Sequence, residues 1–434
     1  MRIIFFLLLA FAKACTQDSE CSGNKLCKDG DCQQKGIFPL TGFEILGTCL
    51  VFVSSGLAGA SGIGGGALFV VFFVILFYFN SSESVALSQF TIVGSSVMAS
   101  FIKLFLKHPA KQKPLINFDI IVIIICPLLI GTTIGVIVNI SLPYWVILLI
   151  LTGLLGYLSI GTFRSGIRLF KKETSRVSNS NFLKNETSMK EDSEELKRLY
   201  EEEKKKIPLD SFLIILAVYS FVVFFTLIKG SSSFASVIGV KFCSAWYWVL
   251  MALMFAVLGL FSYFNSKYII AKYKKKVELG YDFDSGDVRW EEITCLRLNI
   301  VGFMAGFLGA IIGVGGALII NPTLIKFNVR PEVMTATGSF MIVFTSSVSA
   351  LQFLISGRIQ YDYGLWTITF SLMGSALGVF VIKGCVDKYK RSSLITLTLA
   401  CVMVLSGIVT PVYGIYQALT SDYMDYGFHD YCDK

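Results

Sequence analysis

Residues 56–68 read GLAGASGIGGGAL, a run of glycines inside an apolar segment. A closely similar stretch, GFLGAIIGVGGAL, occupies residues 306–318. An alignment of the two without gaps pairs Gly65 with Gly315 and continues into the segments that follow. Because ungapped glycine matches do not arise easily from apolar composition alone, we interpret the chain as an internal duplication.

The composition around the two stretches indicates a membrane protein. Of 434 residues, 54% are hydrophobic and only 16% are charged, whereas a soluble domain carries about 25% charged residues. Several apolar runs approach or exceed the ~20 residues that a helix needs to cross a bilayer. The net charge of +8 therefore concerns orientation and lipid contact. We expect no nucleic-acid partner, because no basic groove with interleaved aromatic residues is visible.

The composition changes along the chain predict a series of segments. They are a signal peptide (1–14), a cysteine-rich lumenal or extracellular segment (15–42), a first transmembrane repeat (43–163), a charged cytosolic linker (164–208), two connecting transmembrane helices with a cytosolic loop (209–294), a second transmembrane repeat (295–416) and an acidic lumenal or extracellular tail (417–434). We interpret the linker as a solvated spacer that contains one exposed helix.

The amino terminus predicts secretion. Arg2 supplies a basic start, residues 3–11 an apolar core and residues 12–14 a small-x-small cleavage site. The alternative, a first membrane helix, is disfavoured because the apolar run is too short. Four cysteines follow closely, which favours two disulfides in an oxidising compartment over a zinc site and leaves all three pairings open. These disulfide candidates are Cys15, Cys21, Cys27 and Cys32.

The remaining cysteines (49, 126, 243, 295, 385, 401 and 432) are scattered along the chain. For these we expect a small apolar role.

The arms that follow the glycine runs are too short to cross a bilayer. Residues 66–79 span about 21 Å as a helix and residues 316–327 about 18 Å, whereas the hydrocarbon is about 30 Å thick. We therefore predict two re-entrant helical hairpins with glycine tips. With eight full crossings, this topology puts most Lys and Arg inside and makes the repeats inverted. The predicted fold class is an all-α polytopic membrane protein with its amino terminus lumenal or extracellular.

The glycine tips predict an anion site. Each tip leads into a new helix, whose first N–H groups lack partners and carry the positive end of the helix dipole. Small hydroxyls on the next helix of each repeat could complete the site, although close helix packing is an alternative explanation for small residues. The candidate substrate-binding residues are Gly64, Gly65, Gly66, Gly313, Gly315, Gly316, Ser95, Ser96, Thr345 and Ser346.

Other chemistry is not indicated by the sequence. We find no nucleophile–His–acid set and no zinc motif in the membrane segments, so we expect no enzyme activity, no cofactor and no metal site. We expect no buried acidic residue in the predicted membrane body. Lys103, Lys229 and Lys383 lie near predicted helix ends, where snorkelling to the interface is the preferred interpretation.

The sequences GLAGASGIGGGALFV, GFLGAIIGVGGALIINP and ATGSFMIVFTSS resemble the TauE/SafE family of sulfite and organosulfonate exporters. The resemblance covers roughly residues 43–163 and 295–416. It implies a secondary transporter that moves sulfite, sulfonate or a related sulfur oxyanion, coupled to a proton or another ion. The signal peptide and the cysteine-rich segment, which lie outside the resemblance, predict the secretory pathway or plasma membrane. The alternatives are an anion channel or a non-transporting receptor with an extracellular cysteine-rich module.

Overall fold

The computed structural model describes residues 25–28, 31–79, 81–108, 111–179, 194–284, 286–389, 393–420 and 430–432. The predicted signal peptide, Cys15 and Cys21 lie outside these residues. So do parts of the predicted linker and of the predicted tail.

Helices dominate the described part of the chain, which has one two-stranded antiparallel sheet within the cysteine-rich segment. The elements are β1 (Lys25–Lys28), β2 (Asp31–Gln34), α1 (Gly42–Ser61), α2 (Gly66–Ile75), α3 (Ser81–Leu104), α4 (Phe118–Ser141), α5 (Tyr144–Asn179), α6 (Glu194–Glu203), α7 (Leu209–Lys229), α8 (Ala245–Glu278), α9 (Glu292–Ile312), α10 (Ala317–Lys326), α11 (Pro331–Ile355), α12 (Tyr361–Tyr389) and α13 (Ser393–Thr420). The predicted helical fold class is confirmed, with the small sheet added to it.

Nine helices in the described part are long and apolar enough to cross a membrane: α1, α3, α4, α5, α7, α8, α9, α11 and α12. Helices α2 and α10 are much shorter, and the apolar stretch of α13 is also below that length. The protein is therefore an integral, multi-pass membrane protein. Helices α5 and α8 continue well beyond their apolar parts, so the polar regions that follow them begin as helix rather than as loop.

Helices from the two halves of the chain pack as matched pairs, α4 along α9 and α12 along α1. Glycines allow very close approach in both pairs. A Cβ on Gly131 of α4 would overlap the carbonyl oxygen of Phe303 on α9, and a Cβ on Gly378 of α12 would overlap that of Gly56 on α1. Close packing at small residues is how membrane helices associate. The packing explanation for this glycine of α1 is thus confirmed.

Each short helix ends close to where its preceding helix began. Before α1, Gln34 donates a hydrogen bond from Nε2 to the carbonyl oxygen of Phe77, which follows α2, at 2.7 Å. Before α9, Asp284 accepts two hydrogen bonds, at 2.7 and 2.9 Å, from the guanidinium of Arg330, which follows α10. In each case, contacts therefore link the segment before the long helix to the segment after the short helix.

Helix α6 of the predicted linker docks onto the body of the protein. Leu196 is buried, and the ring of Tyr200 lies 5.2 Å from that of Tyr281. Glu203 accepts a hydrogen bond from the Tyr281 hydroxyl at 2.6 Å and pairs with Lys276. The linker is helical here, as predicted, but the interpretation of it as a solvated spacer is wrong for α6.

A disulfide joins Cys243, in the loop before α8, to Cys432 in the carboxyl-terminal tail. The expectation of a small apolar role is therefore wrong for these two cysteines, because the loop and the tail meet at one end of the bundle. Cys27 of β1 is also disulfide-bonded, and Cys126 and Cys295 are buried and free.

Candidate anion site at two broken helices

The first helix break is built from glycines in left-handed backbone. Helix α1 ends at Ser61 and is capped by Gly62 at a φ of 71°. Gly64 and Gly65 follow at φ values of 88° and 82°. Because side chains other than hydrogen rarely tolerate this region, the glycine run is what allows the chain to turn into α2 within so few residues.

The second break has a similar backbone, shifted by one residue relative to the ungapped alignment, except that Gly316 before α10 has a helical φ of −63° where Gly65 before α2 is left-handed. Gly313 caps α9 at a φ of 73°, and Gly315 has a φ of 78°. By conformation Gly62 therefore corresponds to Gly313 and Gly64 to Gly315. The structure therefore corrects the alignment's pairing of Gly65 with Gly315, because the helix cap and the start of the short helix are both shifted by one residue at the second break.

The two breaks touch each other. A Cβ on Gly66, the first residue of α2, would overlap the carbonyl oxygen of Gly313. A Cβ on Gly315 would lie 3.6 Å from the carbonyl oxygen of Ile63. The candidate glycines of the two repeats thus converge on one buried place, as the sequence predicts.

The short helices begin with unpaired backbone donors. Neither Gly65 nor Gly316, the residues that precede the full turns of α2 and α10, supplies a side-chain cap. Within the described residues, no acceptor takes the N–H of Gly66 or Ala67, or those of Gly316 and Ala317. All four residues are buried. Since a buried N–H without a partner costs about as much as a lost hydrogen bond, these donors are the groups that an anion would satisfy.

The candidate hydroxyls contribute unequally. Ser95 donates to the carbonyl oxygen of Gly64 at 3.3 Å and so contacts the first break. The others donate back to carbonyl oxygens one turn earlier in their own helices; they are Ser96, Thr345 and Ser346.

Two side chains from distant parts of the chain close the carboxyl end of α1. Asn321 of α10 donates from Nδ2 to the carbonyl oxygen of Gly62 at 2.9 Å. Lys103 of α3 donates from Nζ to the carbonyl oxygen of Gly59 at 2.7 Å. Only 4% of Lys103 is exposed. The snorkelling interpretation is therefore wrong for Lys103, whose ammonium points into the protein at the negative end of a helix dipole.

The snorkelling interpretation is also wrong for Lys229 at the end of α7. It is buried, and its ammonium contacts Met251 and the ring of Tyr247 on α8.

Neutral side chains close the carboxyl end of α9. Ser88 donates to the carbonyl oxygen of Gly313 at 2.9 Å. Gln89 donates from Nε2 to the carbonyl oxygen of Gly309 at 3.1 Å. Both lie on α3, so the first repeat caps the broken helix of the second. Asn139 of α4 adds a further donor, to the carbonyl oxygen of Ile311.

Sequence reasoning missed the roles of Lys103, Asn321 and Asn139. Their signal was present, because an amide or ammonium inside an apolar segment is costly unless it has a partner. Their partners, however, lie in distant parts of the chain.

The expected lack of buried acids also needs correction. Glu44, in the first turn of α1, is 0% exposed. It forms a capping box with Thr41 and accepts hydrogen bonds from Tyr363 at 2.7 Å and Lys35 at 3.1 Å. Its charge is thus matched locally, at the end of α1 opposite the break.

The described part of the chain is thus a bundle of membrane-length helices with two glycine breaks that meet inside it. Residues 298–420 match the family model described as Sulfite exporter TauE/SafE. Sulfite exporter TauE/SafE family protein 5 of Arabidopsis thaliana is 28% identical over 397 residues, which cover 88% of this chain and 86% of that protein. Family protein 1 of the same plant is 27% identical over 390 residues, covering 86% of this chain and 84% of that protein.

A bacterial relative is similar over a shorter region. The Probable membrane transporter protein YunE of Bacillus subtilis is 26% identical over 118 residues, 27% of this chain and 41% of that protein. No solved structure matches the chain. The predicted resemblance to the TauE/SafE family is confirmed, and the chain is similar to plant members of that family over most of its length.

Proposed function

We propose that this protein is a membrane transporter that moves a small sulfur oxyanion, with sulfite as the first candidate, by alternating access around the two helix breaks. The observation that carries the proposal is the set of unpaired N–H groups at the starts of α2 and α10. Two helix amino termini that meet inside the bundle present backbone donors and positive dipole ends to one place. The Arabidopsis relatives are named as sulfite exporters, which supports this class of substrate.

The proposal includes a topology of eight full crossings and two re-entrant pairs, α1–α2 and α9–α10. The Cys243–Cys432 disulfide supports it. Between these cysteines lie the proposed crossings α8, α11, α12 and α13. Because four crossings return the chain to its starting side, the α9–α10 pair must also return to its own side for the two cysteines to meet.

The contacts at the two ends of the bundle support inverted repeats. The start of α1 and the end of α2 meet beside Tyr363, at the end of the bundle where α12 begins. The start of α9 and the end of α10 meet beside Lys113, at the end where α4 begins. Helix α3 connects the first group to the second. The two re-entrant pairs would therefore enter the membrane from opposite faces, as in many secondary transporters.

Flux through the full-length protein tests this function. The purified chain in liposomes is expected to move radiolabelled sulfite, with sulfonate, sulfate and thiosulfate as competitors. Saturation is expected for a transporter, and flux that rises without saturation would indicate a channel. No movement of any of the four anions under either gradient direction would contradict the proposal.

Gly315→Ala is the informative variant for the site. Its methyl group would lie 3.5 Å from Ile342 at the nearest, at the junction of the two breaks, and adds only the backbone strain of a φ of 78°. We expect folded protein with reduced flux. Gly239→Ala is the matched control, since Gly239 also has a left-handed φ, of 75°, and a Cβ there meets nothing within 4 Å. Equal flux in the two variants would reject the assignment of the site to the breaks.

A further inference from the structure

Carbonyl oxygens at the ends of α1 and α9 both need hydrogen-bond donors. The donors are neutral at the end of α9 and include a cation at the end of α1. At the end of α9, the amide of Gln89 donates directly to Gly309. The ungapped alignment pairs Gln89 with Ser339 on α11, which is too short for that role. The Lys103 ammonium lies there instead, donating to Ser339 Oγ at 2.9 Å and to the carbonyl oxygen of Gly59 at 2.7 Å.

Each of the three N–H donors of the ammonium has an acceptor. Its third hydrogen bond goes to the carbonyl oxygen of Thr335 at 3.2 Å. Ser339 uses its own proton to donate to Thr335 at 2.8 Å, which leaves its oxygen free to accept from Lys103. A lysine ammonium has three donors and no acceptor. A neutral amine has only two N–H donors, so loss of the proton leaves one of the three oxygens without its donor.

The three acceptors lie on two helices other than α3. They tie α3 to the end of α1 and to the start of α11. A Cβ on Gly62, the cap of the first break, would lie 2.5 Å from the same Thr335 carbonyl oxygen. Helix ends that are interrupted inside a membrane protein present carbonyl oxygens that commonly hold a sodium ion or proton. Here a covalently attached cation occupies that place.

No other described titratable group contacts the ammonium. Four helices pack against α3. Of these, α2 carries no titratable side chain, and α1 carries Glu44 in its first turn, at its other end, and the exposed Cys49. Helix α11 carries Glu332 in its first turn. The titratable residues of α12 lie in its first turn and its last turns; they are Tyr361, Asp362, Tyr363, Lys383, Cys385, Asp387, Lys388 and Tyr389. The three hydrogen bonds of the ammonium all go to neutral oxygens, which makes its charge responsive to a nearby anion.

We propose that Lys103 is the resident cation of the first break and carries the proton that is coupled to anion transport. This inference rests on the proposed function. With the anion bound, the ammonium balances its charge. After the anion leaves, the N–H bond breaks, the electron pair stays on nitrogen and the proton passes to water on the open side. Proton and anion therefore travel together, and sodium is not required.

Transport driven by an imposed pH gradient tests the coupling. Wild-type protein in sodium-free liposomes is expected to accumulate sulfite several-fold when the gradient is imposed. Lys103→Met and Lys103→Arg are expected to lose this stimulation, since neither side chain releases a proton. Lys229→Met is the matched control, because Lys229 is also buried but contacts Met251 and the ring of Tyr247 on α8. A strict sodium requirement, or full stimulation in Lys103→Met, would overturn the proposal.

A second readout does not depend on the substrate. Hydrogen exchange of the peptide that covers residues 59–66, corrected for intrinsic rate, is expected to rise with pH in the wild type and in Lys229→Met. In Lys103→Arg it is expected to stay low, because the charge is permanent. Identical pH profiles in all three proteins would overturn the role of Lys103 even where no sulfite flux is found. Absent flux with the expected exchange profile would instead contradict only the substrate.

Discussion

The two helix breaks have similar backbones, with three left-handed glycines in the first and two in the second, and are closed by different side chains. Ser88 caps the second break, whereas its counterpart in the ungapped alignment, Gly338, has no side chain and leaves space that Asn321 fills to cap the first. Gln89 caps the second directly, whereas Ser339 and Lys103 act together at the first. The backbone carbonyls that need donors are thus preserved between the repeats while the donors are exchanged. A lysine ammonium is among the donors at the first break, whereas the donors at the second are neutral.

The largest difference is expected at the glycines that begin the short helices. Gly66→Ala places a methyl group against the carbonyl oxygen of Gly313, which is backbone and has no way to move aside. We expect a loss of about 3 kcal/mol, at the upper end of overpacking costs, or failure to yield monodisperse protein. Thermal melting followed by size-exclusion chromatography measures it.

Gly316→Ala is the substitution at the residue of the second break that the ungapped alignment pairs with Gly66. Its Cβ would lie 3.0 Å from Cδ1 of Leu128, the mobile end of a side chain. The expected loss is about 0.5 kcal/mol. Equal losses in the two variants would remove the proposed asymmetry of packing.

Replacing the cap of the first break with the type of cap that the second break has tests whether the two are equivalent. Gly338→Ser alone is expected to cost about 2 kcal/mol by overpacking, because its Cβ would overlap Oδ1 of Asn321. Adding Asn321→Val removes the overlap and leaves the serine to donate to the end of α1, as Ser88 does for α9. The double variant is expected to recover most of the lost melting temperature. Additive losses would show that the two positions do not exchange roles.

A smaller effect is expected at the neutral cap. Gln89→Leu removes the donor to Gly309 and also a buried amide oxygen that has no partner within the described residues. The two terms partly offset, so we expect a loss of about 1 kcal/mol. Thr323→Val is a suitable control, since its hydroxyl bonds only to its own helix. A loss as large as that of Gly66→Ala would mean that the second break depends on its cap more than the first does.

The loop that contains His108, beside the end of α10, gives an effect that depends on pH. Burial, followed by the charges of Lys113 and Arg330, lowers the pKa of His108 from 6.5 to about 4. As pH falls through this window, the unfolded chain takes up the proton before the folded protein does, so the folded state loses stability. His108→Gln is expected to flatten the melting temperature between pH 6.5 and about 4 relative to wild type. Parallel curves for both proteins would contradict the buried, neutral histidine.

Local features of the fold were predictable from the sequence. The glycines of both runs fix where the helices break because backbone conformation is a local property, and the crossing helices follow from apolar length. The alignment predicts equivalent positions for the two helix caps, but the cap Gly313 lies one residue later than the alignment places it relative to Gly62. This shift was not predictable, because the alignment does not reveal where each helix is capped.

The side chains that close the breaks depend on contacts between distant residues. Lys103 and Thr335 are 232 residues apart, Asn321 and Gly62 are 259 apart, and the disulfide joins residues 189 apart. Composition places each of these groups in or beside an apolar segment without naming its partner. Tertiary packing decides whether such a lysine reaches the interface or the core.

Hydrogen exchange in the presence of sulfite tests most directly whether the paired helix starts bind the anion. The full-length protein is compared in sulfite and in chloride at equal ionic strength. We predict slower exchange with sulfite in the peptides that cover residues 64–69 and 315–320, because their free N–H groups acquire an acceptor, and no change in peptides of α5. Protection that is absent from both breaks, or confined to other parts of the protein, would contradict the account.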